Sequence, residues 1–225
     1  MKSCRECPYQ SDIYGDLTDE QFELIDSHRY EVVYEPGEVI FKQGTVSTHV
    51  LSFVTGLAKM SIEIPRGGSL VVRIIRPHEF IAGTGLFMSE KYRFSVTALE
   101  TSMVCLIDIT VIKRLIMENS KFAVSLLSHF QKNMSYTLER LVSFYSKHHI
   151  GRLAEALLYL ADEIYRENPY ELKLSRKDLA GLAGISKENT QRLLKSLETG
   201  NIIQVKGKVI EILDMDKLRQ ISVNG

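Results

Sequence analysis

Residues 174–212, LSRKDLAGLAGISKENTQRLLKSLETGNIIQVKGKVIEI, restrict the fold of this chain more than any other stretch. Ser175 precedes Arg176-Lys177-Asp178, so its hydroxyl can cap a helix while Asp178 takes the capping-box position. Leu179, Ala180, Leu182 and Ala183 supply that helix with an apolar face, and Gly184 offers the left-handed backbone a sharp turn needs. Ser186 can cap a second helix. There Leu193, Leu194 and Leu197 share one side, and Lys187, Glu188, Asn189, Gln191, Arg192 and Lys195 are left for solvent or a partner. Gly200 ends it, and two alternating stretches, Ile203-Gln204-Val205 and Val209-Ile210-Glu211-Ile212, flank Lys206-Gly207-Lys208 as a hairpin with a basic tip. Two short helices, a tight turn and a hairpin describe a winged helix-turn-helix, whose second helix is polar enough to enter a DNA major groove.

Charge agrees with this placement. The whole chain is neutral, with 28 basic and 28 acidic residues. Between Lys173 and Lys208, however, eight Lys or Arg stand against three acids, so this module has a net charge of +5 and the rest of the chain one of −5. A basic module on an acidic body is the electrostatic footprint of a DNA reader, because neutralising phosphates releases counterions.

With 225 residues, 44% hydrophobic and 25% charged, the chain has the composition of a soluble protein of one or two domains. It contains no apolar run near the roughly 20 residues of a membrane helix. Met1-Lys2-Ser3-Cys4-Arg5-Glu6 lacks the apolar core of a signal peptide, and three cysteines do not make a disulfide framework, so a cytoplasmic protein without a membrane partner is expected. A G-x-S-x-G elbow, a Walker loop and an H-E-x-x-H pair are all missing, and Gly83-x-Gly85 is too short for a phosphate fingerprint; the expectation is that the chain is not an enzyme.

Residues from about 30 to 108 read as a β domain. The stretches 39–41, 50–54, 57–62, 70–75, 95–99 and 103–107 are apolar or alternating, with turn signals at Pro36-Gly37, Gly44, Gly56, Gly67-Gly68 and Pro77. Leu17 to Ser27 ahead of them reads as a short helix with Thr18 as its cap. After Asp108 the pattern turns helical. Residues 120–146 lack Gly and Pro and set Leu127, Met134 and Leu141 seven apart, with Phe130, Thr137 and Phe144 at the other heptad position. A dimer seam and a helix buried within one chain both fit that periodicity. A two-fold DNA reader, which needs two recognition helices about 34 Å apart, favours the seam. His148-His149-Ile150-Gly151 then interrupts the helix as a candidate hinge, where the histidines read first as solvated linker residues and otherwise as groups that titrate near neutral pH or bind a metal or haem. The expected organisation is α+β: a β-roll sensor domain with its N-terminal segment over 1–119, a dimerisation helix over 120–147 and a winged helix-turn-helix domain over 148–225.

This order of parts resembles the transcription regulators typified by the cAMP receptor protein and the fumarate-nitrate regulator, the CRP/FNR family. The resemblance is carried by Glu79-Phe80-Ile81-Ala82-Gly83-Thr84-Gly85-Leu86-Phe87, by Ala98 through Cys105 and by Ser186-Lys187-Glu188-x-x-Gln191-Arg192-Leu193-Leu194. It implies a jelly-roll domain of the cyclic-nucleotide-binding kind, a homodimer, a two-fold symmetric double-stranded DNA operator and, for an activator, contact with RNA polymerase. Carried over by position, Lys187, Glu188, Gln191 and Arg192 face base edges, with Glu188 accepting from a cytosine amino group and Arg192 donating twice to guanine. Ser175, Arg176, Lys195, Lys206 and Lys208 are assigned to phosphates. The effector pocket would hold Gly83, Thr84, Arg93 and Phe94. Gly83 stands where the cAMP-binding pattern has a ribose-binding glutamate, and Arg93-Phe94 where it has an arginine-serine pair, so cAMP is not expected to bind with regulatory affinity.

Cys4 and Cys7 form a C-x-x-C pair, and Cys105 ends the stretch that resembles the oxygen-sensing branch of the family, where the corresponding cysteine holds an iron-sulfur cluster. A four-iron cluster takes four thiolates. This chain has three, with Asp12 near the place of the missing one. A cluster held by Cys4, Cys7, Cys105 and Asp12, a disulfide switch or metal clip at the pair, and a buried strand cysteine with no redox role all stay open, so the signal itself is not fixed. The competing functional class is an effector-binding protein that uses its helix-turn-helix for protein contacts.

Overall fold

The computed structural model describes residues 3–65, 68–82, 86–87 and 91–225. Single-turn 3-10 helices at Cys4–Glu6 and Asp12–Tyr14 lead into α1, Asp19–Ser27. Thr18 starts α1 with a full capping box, its hydroxyl accepting from the Gln21 amide and the Gln21 side chain accepting from its own. Strands β1 (Arg29–Tyr34), β2 (Val39–Phe41), β3 (His49–Thr55), β4 (Ala58–Glu63), β5 (Ser69–Ile75), β6 (Phe80–Ile81), β7 (Ser95–Ala98) and β8 (Ser102–Asp108) follow. Next come α2 (Ile109–Glu118), α3 (Ser120–Ser146), α4 (His149–Tyr159), a π-helical turn over Leu160–Tyr165 and β9 (Tyr170–Glu171). α5 (Arg176–Ala183), α6 (Lys187–Thr199), β10 (Ile203–Lys206), β11 (Val209–Ile212) and α7 (Met215–Asn224) complete the chain. The residues cluster into two compact units, one of 1–62 with 74–136 and one of 63–73 with 137–225.

Two four-stranded sheets, in the orders β1-β8-β3-β6 and β2-β7-β4-β5, make the β-roll. Strand alternation sends Val104 and Leu106 of β8 into the space between the sheets, beside Leu51, Phe53, Val96 and Ala98. Ile107 and Val50 point the other way, into a second core that α1, α2 and the start of α3 close with Phe22, Ile25, Ile112, Leu115, Phe122 and Leu126. The β1–β8–β3 sheet is therefore covered on both faces, which is why β3 is apolar at successive positions. Phe53 is fully buried, and its truncation to alanine is worth about 3–5 kcal/mol.

In the second unit, Leu153 and Leu157 of α4, Leu179 and Leu182 of α5, Leu197 of α6 and Leu218 of α7 are all fully buried or nearly so. β9, β10 and β11 form a small sheet in the order β10-β11-β9, the wing being the β10–β11 hairpin. The helix break near 148 is shorter than the sequence implies. α3 stops at Ser146 and α4 starts at His149, with Gly151 inside it. Gly151 is glycine for another reason: a Cβ there would run into the backbone of Gly225. Close approach and not helix breaking explains the residue.

Candidate nucleic-acid interface

The cap expected at Ser175 forms in both directions. Its hydroxyl accepts from the Asp178 amide at 3.1 Å, and the Asp178 carboxylate accepts from the Ser175 amide at 3.3 Å and hydroxyl at 2.6 Å. α5 then ends at Gly184 in the left-handed region, with φ +63°. Two residues later the Ser186 hydroxyl accepts from the Asn189 amide at 3.2 Å and starts α6. Thr190, Leu193, Leu194 and Leu197 are buried beneath this helix. That leaves Lys187, Glu188, Gln191, Arg192 and Lys195 exposed, so the four residues expected to face bases share the outer side of one helix. The Glu188 carboxyl is held below the usual carboxylate range by its own amide and the Ser186 hydroxyl at the helix N-terminus, and is an acceptor at neutral pH.

The residues expected at phosphates are placed differently from one another. Lys206 and Lys208 are exposed on either side of Gly207 at the wing tip, and Lys195 is exposed on α6. Ser175 is exposed, but its hydroxyl is committed to Asp178. Arg176 is half-buried and donates to the Gly207 carbonyl at 3.2 Å, which ties α5 to the wing. The Glu198 carboxylate accepts from the Val205 amide at 2.9 Å and ties α6 to the same hairpin. Asn189, read from the sequence only as an outward polar residue, accepts from Arg192 at 3.2 Å, and His149, read only as a hinge residue, faces Asn189 at 3.4 Å.

On α3, Leu127, Met134 and Leu141 are 58%, 61% and 58% exposed. Thr137 is exposed as well. Their expected companions Phe130 and Phe144 are half-buried, Phe130 against the core of the first unit and Phe144 against Gly184, with Arg140 over its ring at 4.6 Å. Val124, Leu138, Val142 and Tyr145 are exposed in their stead, so the Leu127-Met134-Leu141 column is bare as read in the sequence while its apolar companions lie one position further along the heptad.

Of the effector residues, Gly83 and Thr84 lie outside the described residues, Arg93 is exposed, and Phe94 packs on the edge of the core between the sheets. The three cysteines come together although about a hundred residues separate Cys105 from Cys4 and Cys7. Cys4, Cys7 and Cys105 line one cavity of ≈ 20 Å³ with Tyr14, Phe22, Ile25, Ser52, Ile107 and others. Ser3 and Cys4 dock on Asp26, whose carboxylate accepts from the Ser3 hydroxyl at 2.7 Å and the Cys4 amide at 2.9 Å. Arg29 donates to Asp26 at 2.8 Å and reaches the Cys105 sulfur at 3.5 Å. Burial opposes the Asp26 charge, but the bonds from Arg29, Ser3 and Cys4 outweigh it and hold the carboxyl low. Burial also pushes the Cys4 and Cys105 thiols up, against the pull of Arg29. A cavity of this size holds about one water molecule. Asp12 is exposed and does not line it, and among the described residues no three His, Cys, Asp or Glu side chains are set to hold a metal ion. The three thiols line one cavity, but with three thiolates and Asp12 outside it the arrangement does not fit a four-iron cluster.

Residues 31–119 match the cyclic nucleotide-binding domain family and residues 151–221 the Crp-like helix-turn-helix domain family. The chain is 26% identical over 199 residues to the cAMP-activated global transcriptional regulator CRP of Salmonella typhimurium, spanning 87% of this chain and 95% of that one. The structure of FixK2 from Bradyrhizobium japonicum superposes with a TM-score of 0.75 at 19% identity, over 86% of this chain and 96% of that one. The c-di-GMP responsive global regulator CLP of Xanthomonas campestris gives a TM-score of 0.75 at 20% identity, over 87% and 99% of the two chains. These last two likenesses speak for the fold.

Proposed function

The chain belongs to the CRP/FNR family and is a transcription regulator with a helix-turn-helix DNA-binding domain, and on that premise we propose that it is a cytoplasmic homodimer without catalytic activity that reads a two-fold symmetric operator through α6. The observation that carries the base-reading assignment is the sorting of α6 side chains. Everything apolar on the helix, with Thr190, is buried, and Lys187, Glu188, Gln191 and Arg192 are all on the outside. Glu188 accepts from a cytosine amino group, Arg192 donates a fork to guanine O6 and N7, and Lys195, Lys206 and Lys208 neutralise phosphates. Lys187, a point charge where an arginine would be planar, supplies a single donor.

Dimerisation is supported by the exposed stripe on α3, since a contiguous apolar strip of this kind is stabilised by a second copy of itself. The proposed signal is one other than cAMP. Family membership does not decide the ligand: one relative is named for activation by cAMP and another for its response to c-di-GMP. Gly83 and Phe94 lack the polar groups that the cAMP pattern places there, and their replacement supports a different effector. The signal re-aims the two recognition helices by changing the β-roll.

Titration of the purified protein onto a symmetric site, a single half-site and random duplex, at several salt concentrations, tests this. Tight binding to the symmetric site, with affinity falling steeply with salt, is the expected result. Salt-insensitive binding, or equal affinity for all three duplexes, contradicts it.

A further inference from the structure

The candidate base-contacting arginine is not left to find its own conformation. Arg192 Nη2 donates to the side-chain oxygen of Asn189 at 3.2 Å. With that oxygen taken, the Asn189 amide nitrogen faces His149 Nδ1 at 3.4 Å. An amide nitrogen donates, so His149 Nδ1 is the acceptor in this contact. We propose that Asn189 and His149 are positioning residues that fix the pose of Arg192, and so set base specificity without touching a base. This rests on the DNA-reading role of α6 proposed above.

Both ends of the chain of contacts are anchored. Asn189 is the third residue of α6; its own amide is held by the Ser186 hydroxyl at 3.2 Å, and the buried Thr190 beside it bonds back to the Ser186 carbonyl at 2.9 Å. His149 is the first residue of α4, a helix seated by fully buried Leu153 and Leu157. The partner of the guanidinium on its own helix is Asn189, three residues before it, whose oxygen accepts at 3.2 Å. Asn189 therefore supplies the acceptor that directs the guanidinium. Arginine has five N–H donors, so giving one to Asn189 leaves a two-pronged edge for guanine. An arginine already held in one pose loses less freedom on binding, and it loses that advantage first for the wrong base, where only one prong finds an acceptor.

The test is a competition titration on duplexes carrying each of the four bases at every operator position. It is run with the wild type, Arg192→Ala, Asn189→Ala, His149→Ala, His149→Gln and the Asn189→Ala/Arg192→Ala pair, with thermal melts confirming that each is folded. Arg192→Ala should erase the preference at one position. Asn189→Ala should weaken that same preference roughly threefold to tenfold, the worth of one hydrogen bond, with affinity for random duplex and its salt dependence unchanged. His149→Ala should act at the same position, His149→Gln, whose oxygen can accept from Asn189, should restore the preference, and Asn189→Ala should add nothing once Arg192 is gone. Loss spread evenly over all positions, or an intact preference in Asn189→Ala, overturns the inference while the reading of α6 stands. Intact preferences in Arg192→Ala overturn the reading of α6 itself.

Discussion

Gly184, at the turn between the two helices of the DNA-binding module, offers a sharp test of how that module is held. Its φ is +63°, and a Cβ added there would lie 2.7 Å from Cε1 and 3.1 Å from Cδ1 of Phe144. The ring has little room to retreat, because Arg140 and Arg152 stand over it at 4.6 and 5.9 Å while donating to the carbonyls of Leu182 and Gly184 at the end of α5. Gly184→Ala thus incurs left-handed backbone strain of about 1–2 kcal/mol and an overpacking cost of about 1–3 kcal/mol. The sum, about 2–5 kcal/mol, corresponds to a fall in melting temperature of roughly 4–20 °C for a chain of this length. Gly184→Asn isolates the second cost, since asparagine tolerates the left-handed region. Adding Phe144→Ala to Gly184→Ala removes the clash, so the double variant should be less destabilised than the sum of the single ones. Melts followed by circular dichroism measure all four proteins. A Gly184→Ala protein within about 0.5 kcal/mol of wild type, the range of an ordinary surface change, would refute the reasoning.

Met134→Glu should convert the dimer to monomer in sedimentation while leaving the fold intact, because the side chain is 61% exposed within one chain. Burying one such side chain is worth about 1.5–3 kcal/mol and a two-fold seam counts it twice, so a dimer constant weakened by less than about tenfold would contradict the seam. Calorimetry with millimolar cAMP should give no saturable isotherm; micromolar affinity would rule out the proposed change of effector. Asp26 predicts a pH response at the N-terminal segment. Its carboxyl lies below the ordinary 3.8 in the folded protein, so its contribution is complete well above that value and is lost as acid carries the solution down through it. Protection of the Cys4 amide, measured as exchange corrected for its intrinsic rate, should fall as the pH is lowered from about 6 to about 2, and Asp26→Asn should remove the dependence.

The DNA-binding module was legible because its rules are local. Ser175 with Asp178, Gly184 and Ser186 each act within four residues, and the structure realises all of them. The strands from β2 to β5, with β7 and β8, were legible from alternation and turns. β1 escaped notice because it is an edge strand whose residues, RYEVVY, are exposed or half-buried throughout. On α3 the Leu127, Met134 and Leu141 column is exposed as the spacing implied, but its apolar companions are not Phe130 and Phe144. Phe130 and Phe144 turn inward because particular cores receive them, which spacing does not encode. The cysteine cavity depends on β8 directing Cys105 to the helix-covered face of its sheet and on Asp26 and Arg29 seating the N-terminal turn. Contacts made across so much sequence leave no local signal.

If two copies of α6 read base edges on a symmetric duplex, the sequences selected from a pool of randomised duplex DNA by the wild type and by Arg192→Ala must differ. The expected outcome is an enriched pair of inverted half-sites with centres about 10 base pairs apart, and loss of one guanine preference per half-site in Arg192→Ala. No enriched sequence, or the same enriched sequence from both proteins, would contradict it.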